Sequence, residues 1–190
     1  VGGGGLLTGI GLVADYFENP DPSQPGDPSL KAFVVGVQAA ASNSMAKSFA
    51  AGELRNPTGD GKTIADGINV RHASSEMLAC LRKFADDVVE VGEEQIKEAM
   101  RTVYNDRGLG EIKQSAMQQY AKNPDIKCGE RLGSLNILEG AAATPLAALA
   151  SGKIHLQNYA DQLGRQLNVV CVLTGSNIDQ ERLQEIVGSA

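Results

Sequence analysis

The chain has no tryptophan and only four phenylalanines and four tyrosines among its 190 residues. So few flat side chains give little surface for stacking on bases, which excludes a single-strand nucleic-acid platform. Lys and Arg total 17 against 23 Asp and Glu, a formal net charge of −6, and the basic residues form no cluster. A phosphate-backbone footprint needs the opposite balance, so nucleic acid is not an expected partner. No apolar run reaches the ~18–20 residues of a membrane-spanning helix, so no membrane partner is expected either. Cysteine is scarce: Cys80, Cys128 and Cys171 are odd in number and widely spaced. They lack metal-ligand spacing and read as small core hydrophobes in a reducing compartment, with the cytoplasm as the expected location. Histidine is limited to His72 and His155, each isolated and read as a surface residue.

What is present is ordinary in bulk and unusual in one place. Apolar residues make up 42% of the chain and charged residues 21%, the balance of a globular protein. A chain of this length can bury roughly 70% of its unfolded surface. The unusual stretch is VGGGGLLTGIGLVADYF at residues 1–17, four consecutive glycines followed at once by an apolar pattern of helical spacing. Glycines before a helix N-terminus let successive backbone N–H groups converge on one anion, with no Cβ in the way. The helix dipole adds partial positive charge at the same point. No lysine lies nearby, so the N–H groups themselves would do the binding. The other reading of Gly2–Gly5 is a flexible tail, although the helical pattern starts directly at Leu6 and leaves no room for a linker.

Two nucleotide motifs fail. A G-x-G-x-x-G fingerprint ending at Gly9 needs glycine at position 6, which is Leu6. The P-loop pattern at NPTGDGKT has Asn56 in place of its first glycine and no strand before it, which removes Gly61, Lys62 and Thr63 as a nucleotide site.

Periodicity places Leu6, Ile10, Val13 and Phe17 on one helical face, and the proline-rich segment 19–29 in a surface loop. Strands are expected at 32–38 (AFVVGVQ, buried on both faces), at DDVVEV, and at 168–174 (NVVCVLT). Helices are expected from Ser42, Asn43 or Ser44 to Ala51, over 76–84, 93–104, 111–121, 139–149 and 155–167, and over 179–187. Alternation of helices with short apolar strands implies α/β structure: a three-layer α/β/α domain with a mostly parallel sheet, spanning residues 1–190 as one domain.

Four segments occur in one order: the Gly2–Leu6 loop, TIADG at 63–67, LEGAAATPLAALASGK at 138–153, and VLTGSNID at 172–179. Together they resemble the C-terminal half of the serine/threonine dehydratases, including serine racemase, of the pyridoxal-phosphate fold-type II group. The resemblance covers nearly the whole chain except 20–29 and 106–136, read as insertions. It implies that Gly2, Gly3, Gly4, Gly5 and Leu6 hold the phosphate of pyridoxal phosphate through backbone N–H groups. Thr174 matches the hydroxyl that hydrogen-bonds the pyridine nitrogen, a neutral partner that leaves the ring largely unprotonated and suits β-elimination. Gly67 matches the glycine bordering the ring, and Glu139 the acid near it. Glu139 also reads as a helix-start acid favoured by the dipole, and Asn177 as a cap for the last helix.

The implied activity is deamination of a small hydroxy-amino acid, threonine or serine, to a keto acid and ammonia. The family's Schiff-base lysine has no counterpart in these residues, and Lys31, Lys47 and Lys62 lie outside its motif. The expectation is therefore the C-terminal portion of a longer enzyme. Its partners would be the lysine-bearing N-terminal portion or a second chain carrying it, and it would be a homo-oligomer when complete. Alone, this chain would contain no catalytic residue and be inactive. Relatives that bind a divalent cation use acids at positions occupied here by Gln38 and Ser44, so no metal is expected. Asp86–Asp87 reads as a polar turn before a strand. The alternative function is a non-catalytic module of the same fold that binds phosphate esters or docks a partner.

Overall fold

The computed structural model describes residues 1–21, 23–104, 126–128 and 138–188, the strand at 126–128 by its backbone. Local chemistry sets the elements. Helix α1 (Gly5–Glu18) starts after Gly4, whose φ of 99° only glycine adopts without strain. Strand β1 (Val35–Ala39) leads into α2 (Ser44–Ala51), which ends on Gly52 in the left-handed conformation. Helix α3 (Ser75–Phe84) is capped by Ser74, whose hydroxyl accepts from the Met77 amide at 3.2 Å. Strand β2 (Asp87–Val91) is followed by α4 (Glu93–Tyr104), with Glu93 and Glu94 in the first turn and Arg101 in the last, the order the dipole favours. Then come β3 (Ile126–Cys128), α5 (Gly140–Ala150), α6 (Leu156–Leu163), β4 (Leu167–Val169) and α7 (Gln180–Val187). No described helix is long and apolar enough to cross a membrane.

Helices alternate with short strands in a mixed α/β arrangement. Among the described residues, β1 pairs with β2, and β3 pairs in parallel with β4, Ile126 opposite Leu167 and Cys128 opposite Val169. The chain gathers into two compact units. The first comprises Val1–Lys62 and Ile68–Glu90, the second Thr63–Gly67 and Val91–Ala190.

In the first unit Leu7, Val34, Met45, Ala46, Leu78, Leu81 and Val88 form the core. Full burial of a side chain such as Leu81 or Met45 contributes about 1.5–3 kcal/mol. Helix α1 crosses α3 at a point with no side chain: a Cβ on Gly11 would lie 1.9 Å from the Phe84 carbonyl oxygen. This contact turns α1 away from the orientation expected from its large residues. Leu7 and Gly11 are buried and Ile10 and Ala14 pack beside them, whereas Leu6, Val13 and Phe17 are 59%, 55% and 65% exposed. Asp86 is structural, exchanging bonds with Val34: its amide donates to the Val34 carbonyl at 2.8 Å, and its Oδ2 accepts from the Val34 amide at 2.7 Å.

In the second unit, Ile96, Ala99 and Met100 of α4 pack on the alanine-rich α5, whose small side chains permit close approach. Pro145 lies inside α5 and has no N–H for the Ala141 carbonyl. The Thr144 hydroxyl supplies the missing donor at 2.9 Å.

Several expectations need correction. The third expected strand is three residues long, and Val170 beyond it is 82% exposed. Among the described residues the strand pairs with β3 through Leu167–Val169. Helix α6 ends at Leu163, where Gly164 takes a left-handed turn. Cys80 is exposed and Cys171 intermediate, so neither is the core filler expected. His72 and His155 are exposed, as expected. The helix expected over 111–121 and the insertion read at 106–136, apart from β3, lie outside the described residues.

Candidate functional site

The glycine loop belongs to the first unit. The backbone nitrogen of Val1 donates to the Val37 carbonyl, so the loop departs from beside β1. Its glycines alternate. A Cβ on Gly2 would approach Ile68 Cα at 3.1 Å and Val70 Cγ2 at 3.2 Å, and one on Gly4 would meet Met77 Cγ at 2.6 Å. At Gly3 and Gly5 nothing lies within 4 Å. Gly2 and Gly4 thus seat the loop against the protein, while Gly3 and Gly5 leave open space beside the start of a 14-residue helix. The first bond of the helix runs from the Thr8 amide to the Gly4 carbonyl at 2.9 Å. The N–H groups of Gly5, Leu6 and Leu7 precede it and have no helical carbonyl to bind. N–H groups without a helical acceptor, absent Cβ atoms and a helix dipole fit a phosphate group.

The second unit brings three sequence motifs together around Glu139. This residue sits at the N-cap position of α5, where its side chain makes no capping bond. Its Oε2 instead accepts from the Asn177 amide at 3.1 Å, and its own amide donates to the Gly175 carbonyl at 3.3 Å. Its Oε1 faces two glycines: a Cβ on Gly67 would lie 3.4 Å from it and one on Gly175 only 2.2 Å. Gly67, Glu139 and the Thr174–Asn177 turn are therefore neighbours. The helix-start reading of Glu139 describes its position but not its carboxylate, which serves the turn. Thr174, in this turn, is exposed, as is Gly67. Asn177 is not the cap of the last helix; Asp179 holds that position.

Two residues of this cluster had no assigned part in the sequence reading. Gly175, at φ 144°, must lack a side chain for Glu139 to lie where it does. The glycine was visible in TGSN, but the residue it yields to is 36 positions away. Glu93 reaches the TIADG turn, its Oε2 accepting from the Ile64 amide at 2.9 Å. Its only sequence signal was a place in an acidic first turn.

Gln38 and Ser44, the positions considered for a metal, are both buried in the first unit. Gln38 Oε1 accepts from the Ala46 amide at 2.8 Å, capping α2 from the strand, and the Ser44 hydroxyl donates to the Val70 carbonyl at 3.2 Å. Ser42 donates to the same carbonyl at 3.2 Å. Among the described residues no group of three or more His, Cys, Asp or Glu side chains is placed to hold a metal ion.

A family model described as pyridoxal-phosphate dependent enzyme matches residues 1–117. The catabolic L-threonine dehydratase TdcB of Staphylococcus aureus is 30% identical over 187 residues, which is 98% of this chain and 41% of that protein. The catabolic L-threonine dehydratase TdcB of Escherichia coli is 28% identical over 188 residues, 99% of this chain and 44% of that protein. The chain thus spans less than half the length of these relatives. Among solved structures, maize serine racemase superposes with a TM-score of 0.64 at 22% identity, over 97% of this chain and 43% of that one. The processed form of threonine deaminase isoform 2 from Solanum lycopersicum gives 0.61 at 23% identity, over 99% and 42%. At those identities the likeness is one of fold, and it agrees with the α/β architecture expected from the sequence. With the glycine loop and the TIADG turn both inside the matched span, the chain belongs to the pyridoxal-phosphate-dependent enzymes.

Proposed function

We propose that this chain supplies cofactor-holding surfaces of a lyase that removes the β-hydroxyl and amino group of threonine or serine, giving a keto acid and ammonia. The observation that carries the reading is the alternation in the glycine loop: Gly2 and Gly4 packed inward, Gly3 and Gly5 open, ahead of uncommitted helix N–H groups. When bound, pyridoxal phosphate supplies an electron sink for bond cleavage at the amino acid carbon. The N–H groups of Gly2, Gly3, Gly4, Gly5 and Leu6 would hold its phosphate. The Thr174 hydroxyl would donate to the pyridine nitrogen and, as a neutral partner, would leave it unprotonated. Glu139 holds the turn that carries Thr174, by accepting from the Asn177 amide. Gly67 brings backbone, with no side chain, to the edge of the ring. The names of the threonine dehydratase relatives support the reaction class.

The test is an amide NMR titration of the chain with pyridoxal phosphate, alongside Gly3→Asp. A carboxylate at Gly3 meets open space, so the fold is retained while the added negative charge opposes the phosphate. Shifts at Gly3–Leu6 that vanish in the variant are expected, and equal binding by the variant would overturn the phosphate assignment. The reaction class is tested on the purified protein that contains this chain: keto-acid release from L-threonine or L-serine is expected, and its absence removes the lyase reading.

A further inference from the structure

Within the second unit the Thr63–Gly67 turn is held from both sides at the Ile64 peptide. Two of its N–H groups are satisfied within the turn: Ala65 by the Thr63 hydroxyl at 3.0 Å and Gly67 by Asp66 Oδ1 at 2.9 Å. The Ile64 amide instead donates to Glu93 Oε2, in the first turn of α4, at 2.9 Å. The carbonyl of Ile64 is met by the start of α5, where a Cβ on Gly140 would lie 2.5 Å from it. Ile64 is thus gripped by α4 on one side and α5 on the other. Three residues later Gly67 meets Ala141 and the Glu139 carboxylate.

Glu93 is not explained by the helix dipole. Glu94 beside it gives the same benefit from an exposed position, paired with Lys97 at 2.6 Å. Glu93 Oε1 is buried with no hydrogen-bond partner among the described residues. An unpaired buried oxygen is unfavourable, so the position of the other oxygen has to matter. Arg182 also touches the turn, at Asp66 Oδ2 (3.3 Å) and the Thr63 carbonyl (3.4 Å). That contact is long and open to solvent, and holds little.

We propose that Glu93 is a positioning residue for the cofactor ring, acting through Ile64 to set Gly67 against Glu139. The inference rests on the reading of Gly67 as the ring's neighbour. Two substitutions separate the bond from the charge. Glu93→Gln keeps an acceptor oxygen at full reach without charge; Glu93→Asp keeps the charge but withdraws it by one methylene. Amide exchange and pyridoxal phosphate titrations are followed by NMR at Ile64 and Gly67, with Arg182→Ala as the control. Glu93→Asp is expected to speed Ile64 exchange and weaken cofactor affinity by about tenfold each, while Glu93→Gln and Arg182→Ala stay within about twofold of the parent. Parent-like affinity in Glu93→Asp, or a loss in Glu93→Gln as large as that in Glu93→Asp, overturns the proposal. If the parent chain binds pyridoxal phosphate and Glu93→Asp binds it equally, this inference falls alone. If the parent shows no binding, the cofactor reading falls with it.

Discussion

Two glycines on the same helix should respond in opposite directions to the same substitution. Gly9 and Gly11 both lie within α1, where alanine gains about 0.5–1 kcal/mol over glycine by restricting the unfolded chain and favouring the helix. At Gly9 nothing lies within 4 Å of the added Cβ, so Gly9→Ala should realise that gain in full. At Gly11 the Cβ would sit 1.9 Å from the Phe84 oxygen, 2.8 Å from its carbonyl carbon and 2.9 Å from its Cβ. Ordinary carbon–oxygen contacts begin near ~3.3 Å, so α1 or the end of α3 must withdraw by more than about 1 Å. The obstacle is backbone and cannot rotate aside. Withdrawal loosens Leu7, Ile10 and Ala14 against the core, and overpacking of this kind costs about 1–3 kcal/mol. The steric cost exceeds the helical gain, and because that gain is common to both variants they should differ by the steric cost, about 1–3 kcal/mol. For a chain of this size that is a separation of about 2–12 °C in melting temperature. Urea denaturation and calorimetry of parent, Gly9→Ala and Gly11→Ala provide the assay. Equal stabilities for the two variants, or Gly11→Ala above the parent, would refute the argument that this contact orients α1.

Two further outcomes follow from particular contacts. Gly175→Ala should cost about 1–3 kcal/mol for an L side chain at φ 144°, and should displace the Glu139 carboxylate, moving the Asn177 amide resonance; an unmoved resonance would count against the role given to Glu139. The Glu76 carboxyl titrates below its ordinary range because its own backbone N–H and the hydroxyls of Ser75 and Ser74 hydrogen-bond to it. A depressed carboxyl stabilises the folded state above its unfolded pKa and loses that contribution as pH falls through the folded value. Glu76→Gln should therefore be less stable than the parent at neutral pH, with the gap closing in acid; a gap independent of pH from denaturation curves would contradict this.

Much of the molecule follows from its sequence alone. Glu93–Tyr104 was legible to the residue, because acids at its start, a basic residue near its end and an apolar stripe of Ile96, Ala99 and Met100 all agree. β1 and β2 were legible as short apolar runs, and the position of the phosphate loop as glycines directly preceding a helix. These features depend on neighbours a few residues apart. Tertiary structure decided the rest. Periodicity placed Leu6, Ile10, Val13 and Phe17 on one face of α1. The fold instead buries Leu7 and Gly11, because a close crossing at Phe84 admits only Gly11. Likewise, the sequence placed Glu139 at a helix start but could not say where its carboxylate would point. That was settled by Gly175 and Asn177, whose turn gives it a donor and room. The part of Glu93 was set by a peptide 29 residues earlier. The helices and the anion loop are short-range properties of this chain. The orientation of α1, the aim of Glu139 and the hold of Glu93 depend on groups brought together only when the chain packs.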